Sequence, residues 1–271
     1  MSLWRESMDS RAIGVLDTGV GGLTAVRRLR ALLPGEDIVF FADTARVPYG
    51  GRTLEQIRQM SLECVEKLTR RGIKALLVAC GTITAACLDD VAAASGAPAC
   101  GVIAPAAAEA VAASASGRIG ALSTLATART GAFKDAVLAL RPDAAVTLYG
   151  CGELVPLVEA GRTSPEDAEV ADAVFRATAP FREHGADTLI LGCTHFPLLY
   201  EAMSAALPGV TLIDSGAAGA RECCRMLKEN SLLSDRKAGG KLTCAVSGDR
   251  DSFRANATIF MPGVEFEVEK A

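Results

Sequence analysis

The chain has 271 residues, half of them apolar and 5% aromatic, with a formal net charge of −4. That length sits where a single core stops growing and two domains form. The mild charge, free of long single-sign runs, argues against nucleic acid or an anionic membrane as partner, since both need a clustered basic surface.

No apolar segment approaches the roughly 20 residues of a membrane span. The polar stretch Met1–Ser10 lacks a signal-like apolar core and is expected to be a leader outside the fold. Nine cysteines, at 64, 80, 87, 100, 151, 193, 223, 224 and 244, form no Cys-x-x-Cys pair. They read as free thiols of a cytoplasmic protein, most of them small core residues.

Ile13–Leu16 is strand-like and leads into Asp17-Thr-Gly-Val-Gly-Gly22. A helix is predicted over Leu23–Leu33, burying Leu23, Val26, Leu29, Leu32 and Leu33, with Pro34-Gly35 as its stop. Ile38–Phe41 is the next strand, and its Pro and Gly content makes Asp43–Gly51 a loop. Thr53 is a candidate cap for a helix burying Leu54, Ile57, Ser61, Cys64, Val65 and Leu68. Ala75–Ala79 then delivers Cys80-Gly81-Thr82. Such alternation predicts βαβ units on a parallel sheet.

The pattern then restarts. Arg118–Ser123 resembles Ala12–Leu16, and Thr124-Leu-Ala-Thr127 stands where Asp-Thr-Gly stood. Val146–Tyr149 is another strand. Gly185–Thr194 echoes Gly72–Thr82, and each copy ends a strand with a cysteine, Cys193 and Cys80. Thr211–Asp214 is strand-like, Ala217–Lys228 helical, and Asp235–Lys241 a polar loop; Leu242–Val246 and Val264–Val268 are expected to add strands to the first domain. The expected fold is α/β: two similar parallel-sheet α/β domains related by a pseudo-two-fold, with the active site in the cleft between them. Residues 11–104 plus 217–271 form the first domain and 105–216 the second.

Two cysteines at equivalent points of two half-chains are more easily explained as a facing pair across that cleft than as packing. Opposed thiols suit proton transfer at a stereocentre, one removing a proton from one face and the other supplying one to the opposite face. Asp17, ending the first strand, and His195, two residues past Cys193, are local groups able to orient or shuttle the thiol protons. Asp-Thr-Gly also occurs in aspartic proteases, but those need two copies and an all-β architecture. The glycines of Gly19–Gly22 suit a tight turn and an anion cradle, without the spacing of a nucleotide loop.

The segments Gly14-Val-Leu-Asp-Thr-Gly-Val-Gly-Gly-Leu23, Asp43-Thr-Ala-Arg-Val-Pro-Tyr-Gly50, Ala79-Cys-Gly-Thr82, Val155-Pro-Leu-Val-Glu159 and Gly192-Cys-Thr-His-Phe-Pro197 carry a resemblance. In these, and in their order, the chain resembles the glutamate racemases of the Asp/Glu racemase superfamily. The resemblance implies a two-base isomerase with no cofactor and no metal, making D-glutamate for peptidoglycan. It implies Cys80 and Cys193 as the acid/base thiols, Asp17 and His195 assisting them, and Glu159 as a further catalytic carboxylate. Asp17, Thr18, Pro48, Tyr49, Gly50, Gly81, Thr82, Thr127, Thr194 and His195 match substrate-contacting positions. Hydroxyls and backbone N–H groups are what two carboxylates and an ammonium require in a closed site. The implied partner is the amino-acid substrate, with a homodimer as the expected assembly.

Two departures from the family pattern stand out. Asp17-Thr18-Gly19 replaces the usual Asp-Ser-Gly, and Cys80-Gly81-Thr82 replaces the usual Cys-Asn-Thr. The missing Asn is expected to remove a hydrogen bond worth about 1.5–3 kcal/mol and to leave a gap for water or a bulkier substrate. Gly81 therefore keeps an alternative open, a superfamily racemase or isomerase acting on aspartate, a hydantoin or maleate. A two-lobed protein that binds an amino acid without turning it over is the non-catalytic alternative.

Overall fold

The computed structural model describes residues 9–271; apart from Asp9 and Ser10, the expected leader lies outside the described residues. Short apolar runs make β1 (Ile13–Asp17), β2 (Ile38–Ala42), β3 (Ala75–Val78) and the two-residue β4 (Ala99–Cys100). A second set follows: β5 (Arg118–Ser123), β6 (Ala145–Gly150), β7 (Thr188–Leu191) and β8 (Thr211–Asp214). The chain closes with β9 (Leu242–Val246) and β10 (Glu267–Lys270). β1, β3 and β7 are buried along their whole length, as parallel strands covered on both faces must be.

Among the described residues these strands form two wholly parallel sheets, ordered β10-β9-β2-β1-β3-β4 and β6-β5-β7-β8. The half-chain repeat is visible in that order. β2-β1-β3-β4 and β6-β5-β7-β8 follow the same course, so β3 and β7 hold equivalent places in their sheets. The late strands β9 and β10 extend the first sheet beyond β2.

In the first lobe α1 (Leu23–Leu32), α2 (Leu54–Thr69) and α3 (Gly81–Ser95) connect the strands, and α4 (Ile103–Ala113) leads into the second. The second lobe carries α5 (Leu125–Thr130), α6 (Ala132–Leu140), α7 (Leu154–Glu159), α8 (Ala168–His184) and α9 (Tyr200–Ala206). The long helix α10 (Ser215–Glu229) returns the chain, packing on α1 and α4, and α11 (Arg250–Phe260) follows β9. No helix of the described residues is long and apolar enough to cross a membrane. All nine cysteines are free and buried, in keeping with their reading as unpaired thiols.

Local chemistry fixes the helix starts. Thr53 caps α2 through a capping box: its Oγ1 accepts from Gln56 N and its own N–H donates to Gln56 Oε1. Two positions depart from the predicted buried faces. Leu54, in the first turn of α2, is half exposed, because the buried face begins only at Ile57. Leu32 is exposed too, since Leu29 and Leu33, four residues apart, complete the stripe of α1. The last strand runs over Glu267–Lys270 rather than Val264–Val268; Val264 and Phe266 pack on the core before pairing with β9 begins at Glu267.

The polar loop before β9 is docked at the base of the first sheet. Ser234 N donates to Glu36 Oε1 at 2.6 Å, and Lys241 N donates to Asp37 Oδ1 at 2.8 Å. Glu36 also pairs with the fully buried Lys74, whose ammonium donates to the Asp9 carbonyl. A buried ammonium needs both partners to offset its lost hydration.

Candidate active site

The carboxyl ends of β1, β3, β5 and β7 meet at one cleft of about 520 Å³, the place where parallel α/β sheets present ligands. Asp17, Thr18, Pro48, Tyr49, Gly50, Cys80, Gly81, Thr82, Glu159, Cys193, Thr194 and His195 all line it. Thr127 stands behind the surface. Its hydroxyl lies 3.2 Å from Thr82 Oγ1 and 2.9 Å from Thr124 Oγ1, and the latter two are 3.1 Å apart. This closed triangle of hydroxyls joins the first lobe to the second.

The first wall is built on β1 and β3. Asp17 is 2% exposed, and its Oδ1 accepts from Thr18 Oγ1 and Gly19 N, both at 3.2 Å. Oδ2 has no partner. Burial pushes the Asp17 carboxyl above the usual carboxylate range. Thr18 Oγ1 lies 3.8 Å from Cys80 Sγ, so a hydroxyl stands between carboxyl and thiol. Cys80 opens α3. Burial, and then the nearby Asp17 charge, push its thiol up to about 12, against the pull of the Ile83 and Thr82 backbone N–H groups.

The second wall follows β7. Cys193 Sγ lies 3.8 Å from His195 Nδ1, and His195 Nε2 donates to Glu159 Oε1 at 3.0 Å. Glu159 ends α7, and its side chain is 44% exposed, so this relay reaches solvent. Burial disfavours the imidazolium, but the contacts to Cys193 and Glu159 outweigh it and raise the His195 pKa to about 10. Phe260 of α11 meets the imidazole edge-on, with centroids 5.3 Å apart, and helps fix the ring.

Asp43–Gly51 forms the mouth. Asp43, 1% exposed, accepts from Tyr49 Oη, from Arg46 Nε at 2.6 Å and from Ser247 Oγ at 2.7 Å. The Tyr49 hydroxyl is thus turned inward, and the residue offers the cleft its ring and backbone. The Val47–Pro48 peptide is cis.

Gly81 does not leave a gap. A Cβ built there would stand 2.6 Å from the carbonyl oxygen of Gly192 in the opposite lobe. The space expected to admit water or a bulkier substrate is filled by backbone. Gly21 meets a similar limit, since a Cβ on it would stand 2.6 Å from His195 Nδ1. Gly21 therefore serves the approach of the second wall to the first.

Sequence reasoning passed over Thr124 and the apolar Val47, Leu125, Val155 and Pro156, which also line the cleft. The repeat held the signal for Thr124, which follows β5 as Thr18 follows β1.

Comparison with known proteins agrees with this architecture. The family described as Asp/Glu/Hydantoin racemase matches residues 14–223. A glutamate racemase from Desulforudis audaxviator is 39% identical over 94% of this chain and 95% of its own length. Among solved structures, a glutamate racemase isoform from Bacillus anthracis superposes with a TM-score of 0.90 at 35% identity, covering 96% of this chain and 97% of its own. One from Francisella tularensis, in complex with D-glutamate, gives a TM-score of 0.90 at 30% identity over 97% of this chain and 98% of its own.

Proposed function

The chain belongs to the Asp/Glu/hydantoin racemase family, and on that premise we propose that it interconverts L- and D-glutamate without a cofactor, Cys80 and Cys193 acting as opposite-face acid and base. The observation that carries the reading is the pair of buried cysteines lining one cleft from two lobes, each beside its own proton-handling partners. In the forward direction one thiolate takes the Cα proton, and the opposite thiol delivers its own proton to the other face. The enzyme is left with the two protonation states exchanged, and the reverse reaction restores them.

On the first wall Thr18 passes or orients the Cys80 proton, with Asp17 behind it. On the second, the His195 imidazolium faces Cys193, and Glu159 steadies the imidazolium. No lysine or arginine of the described residues lines the cleft. The substrate carboxylates are therefore met by the hydroxyls of Thr18, Thr82, Thr124 and Thr194, by backbone N–H groups at the start of α3, and by the imidazolium.

The alternative substrates rested on a gap at Gly81, and that gap is closed. Glutamate also fits the relatives, three glutamate racemases being 39–42% identical over 83–94% of this chain. The same reading carries a cytoplasmic homodimer feeding D-glutamate to peptidoglycan, and the division into 11–104 with 217–271 against 105–216. The test is circular dichroism of the purified protein with each glutamate enantiomer. Decay of ellipticity from both sides to zero is expected, and a stable signal with either one would sink the proposal.

A further inference from the structure

Resting on the racemase reading above, we infer that Ser247 is a positioning residue for substrate binding: its hydroxyl clasps the root of the mouth loop and so sets where Pro48, Tyr49 and Gly50 meet the substrate. Ser247 does not itself line the cleft. It reaches the loop because β2 and β9 pair in parallel with Ala42 opposite Val246, so Asp43 and Ser247 leave their strands side by side.

The clasp is made twice at one oxygen. Ser247 Oγ donates to Asp43 Oδ1 at 2.7 Å and accepts from Ala45 N at 3.0 Å. Beside it Gly248 N donates to Thr44 Oγ1 at 3.0 Å, and a Cβ on Gly248 would stand 3.1 Å from Ala45 N. The turn after β9 therefore lies directly on the backbone of the mouth loop.

Asp43 carries this hold into the loop. Its Oδ2 accepts from Tyr49 Oη and from Arg46 Nε, the residues that flank Val47 and Pro48. Ser247 is the only donor to Oδ1 among the described residues. A carboxylate turns easily about its last torsion, so with Oδ1 released Oδ2 swings, and Arg46 and Tyr49 shift with it. Asp43 is buried, so bulk water does not replace the lost donor.

The residues that the loop presents to the cleft lie between those two anchors or directly after them. Neither thiol stands on the loop, since Cys80 follows β3 and Cys193 follows β7. A displaced loop thus weakens contacts made alike in the ground state and the transition state, which raises KM and spares kcat. Were Ser247 there only to stabilise the fold, its loss would lower the melting temperature and leave KM alone.

The experiment uses the full chain, with Ser247→Ala and Ser247→Thr variants assayed by circular dichroism with both glutamate enantiomers. The alanine variant should raise KM by about 10-fold while kcat stays within about 3-fold, as when contacts to a charged substrate are misplaced. Threonine keeps the hydroxyl and should hold KM within about 3-fold of the parent. An alanine variant with KM within about 3-fold of the parent, a loss carried by kcat, or a threonine variant as impaired as alanine overturns the inference. Amide hydrogen exchange of the unmodified protein without substrate supplies a second measurement should the variants not fold. The Ala45 and Gly248 N–H groups, each bonded across the clasp, should exchange far more slowly than unstructured amides, and exchange of both at the unstructured rate overturns the inference. If the unmodified protein does not racemise glutamate, the racemase reading fails separately, and the exchange result still decides whether the clasp holds the loop.

Discussion

The two walls place equivalent cysteines at the ends of equivalent strands and surround them with opposite chemistry. Around Cys80 stand a half-buried hydroxyl and a buried carboxyl, and burial lifts both the thiol and Asp17. Around Cys193 stand an imidazole raised to about 10 and a half-exposed carboxylate that opens the relay to water. The fold repeats and the proton handling does not. A two-base reaction needs one wall to hold a proton when the other has lost one, and unlike surroundings supply that asymmetry before substrate binds.

The largest expected effect comes from deleting either thiol. Cys80→Ser and Cys193→Ser should each lower racemisation by roughly 10²–10⁴-fold, measured as decay of ellipticity from both enantiomers. Equal residual rates in both would deny any difference between the walls. Next, Asp17→Asn on the closed wall should cost roughly 10²-fold in kcat, read in the same assay. Glu159→Gln on the open wall keeps an acceptor for His195 Nε2 but removes its charge, forfeiting part of a charge-assisted hydrogen bond worth about 1.5–3 kcal/mol when buried. Exposure of Glu159 discounts it, so a loss of about 10-fold is expected.

The walls should also differ in the pH dependence of stability. The folded His195 pKa lies above its ordinary value of 6.5, so its contribution is complete below about 6.5 and is lost as pH rises through about 10. The melting temperature should fall across that window, and Glu159→Gln should flatten the fall. The smallest effect belongs to the joint between the walls. Thr127→Val removes hydroxyl contacts worth about 1 kcal/mol each and should lower Tm by about 2–4 °C per bond lost.

How much of this was legible in the sequence follows from how each feature is encoded. Asp17 with Thr18, and Cys193 with His195, are neighbours along the chain at strand ends, so motif and periodicity disclose them together. The repeat disclosed that β3 and β7 are equivalent, and so that their cysteines face one cleft. Leu32 and Leu54 were misassigned because a helical stripe predicts a face but not where tertiary contact starts. The His195–Glu159 bond joins residues 36 apart on separate elements, which no local pattern links. Gly81 was the most misleading position. Read alone, a lost side chain means space; in the fold it means contact, because the Gly192 carbonyl of the opposite lobe stands 2.6 Å from where a Cβ would be.

The order of the first sheet has a consequence for synthesis. β2 pairs on one side with β1 and on the other with β9, whose residues emerge about 200 positions later. The second sheet lies wholly within the intervening chain. At about 5–20 residues per second, the apolar edge Ile38–Ala42 waits roughly 10–40 s for its partner. During that interval it is an open strand edge, the feature that recruits chaperones and drives aggregation. The second lobe, continuous in sequence, is free to fold in the meantime, so the nascent enzyme is completed from its middle outward, and its first wall is finished last.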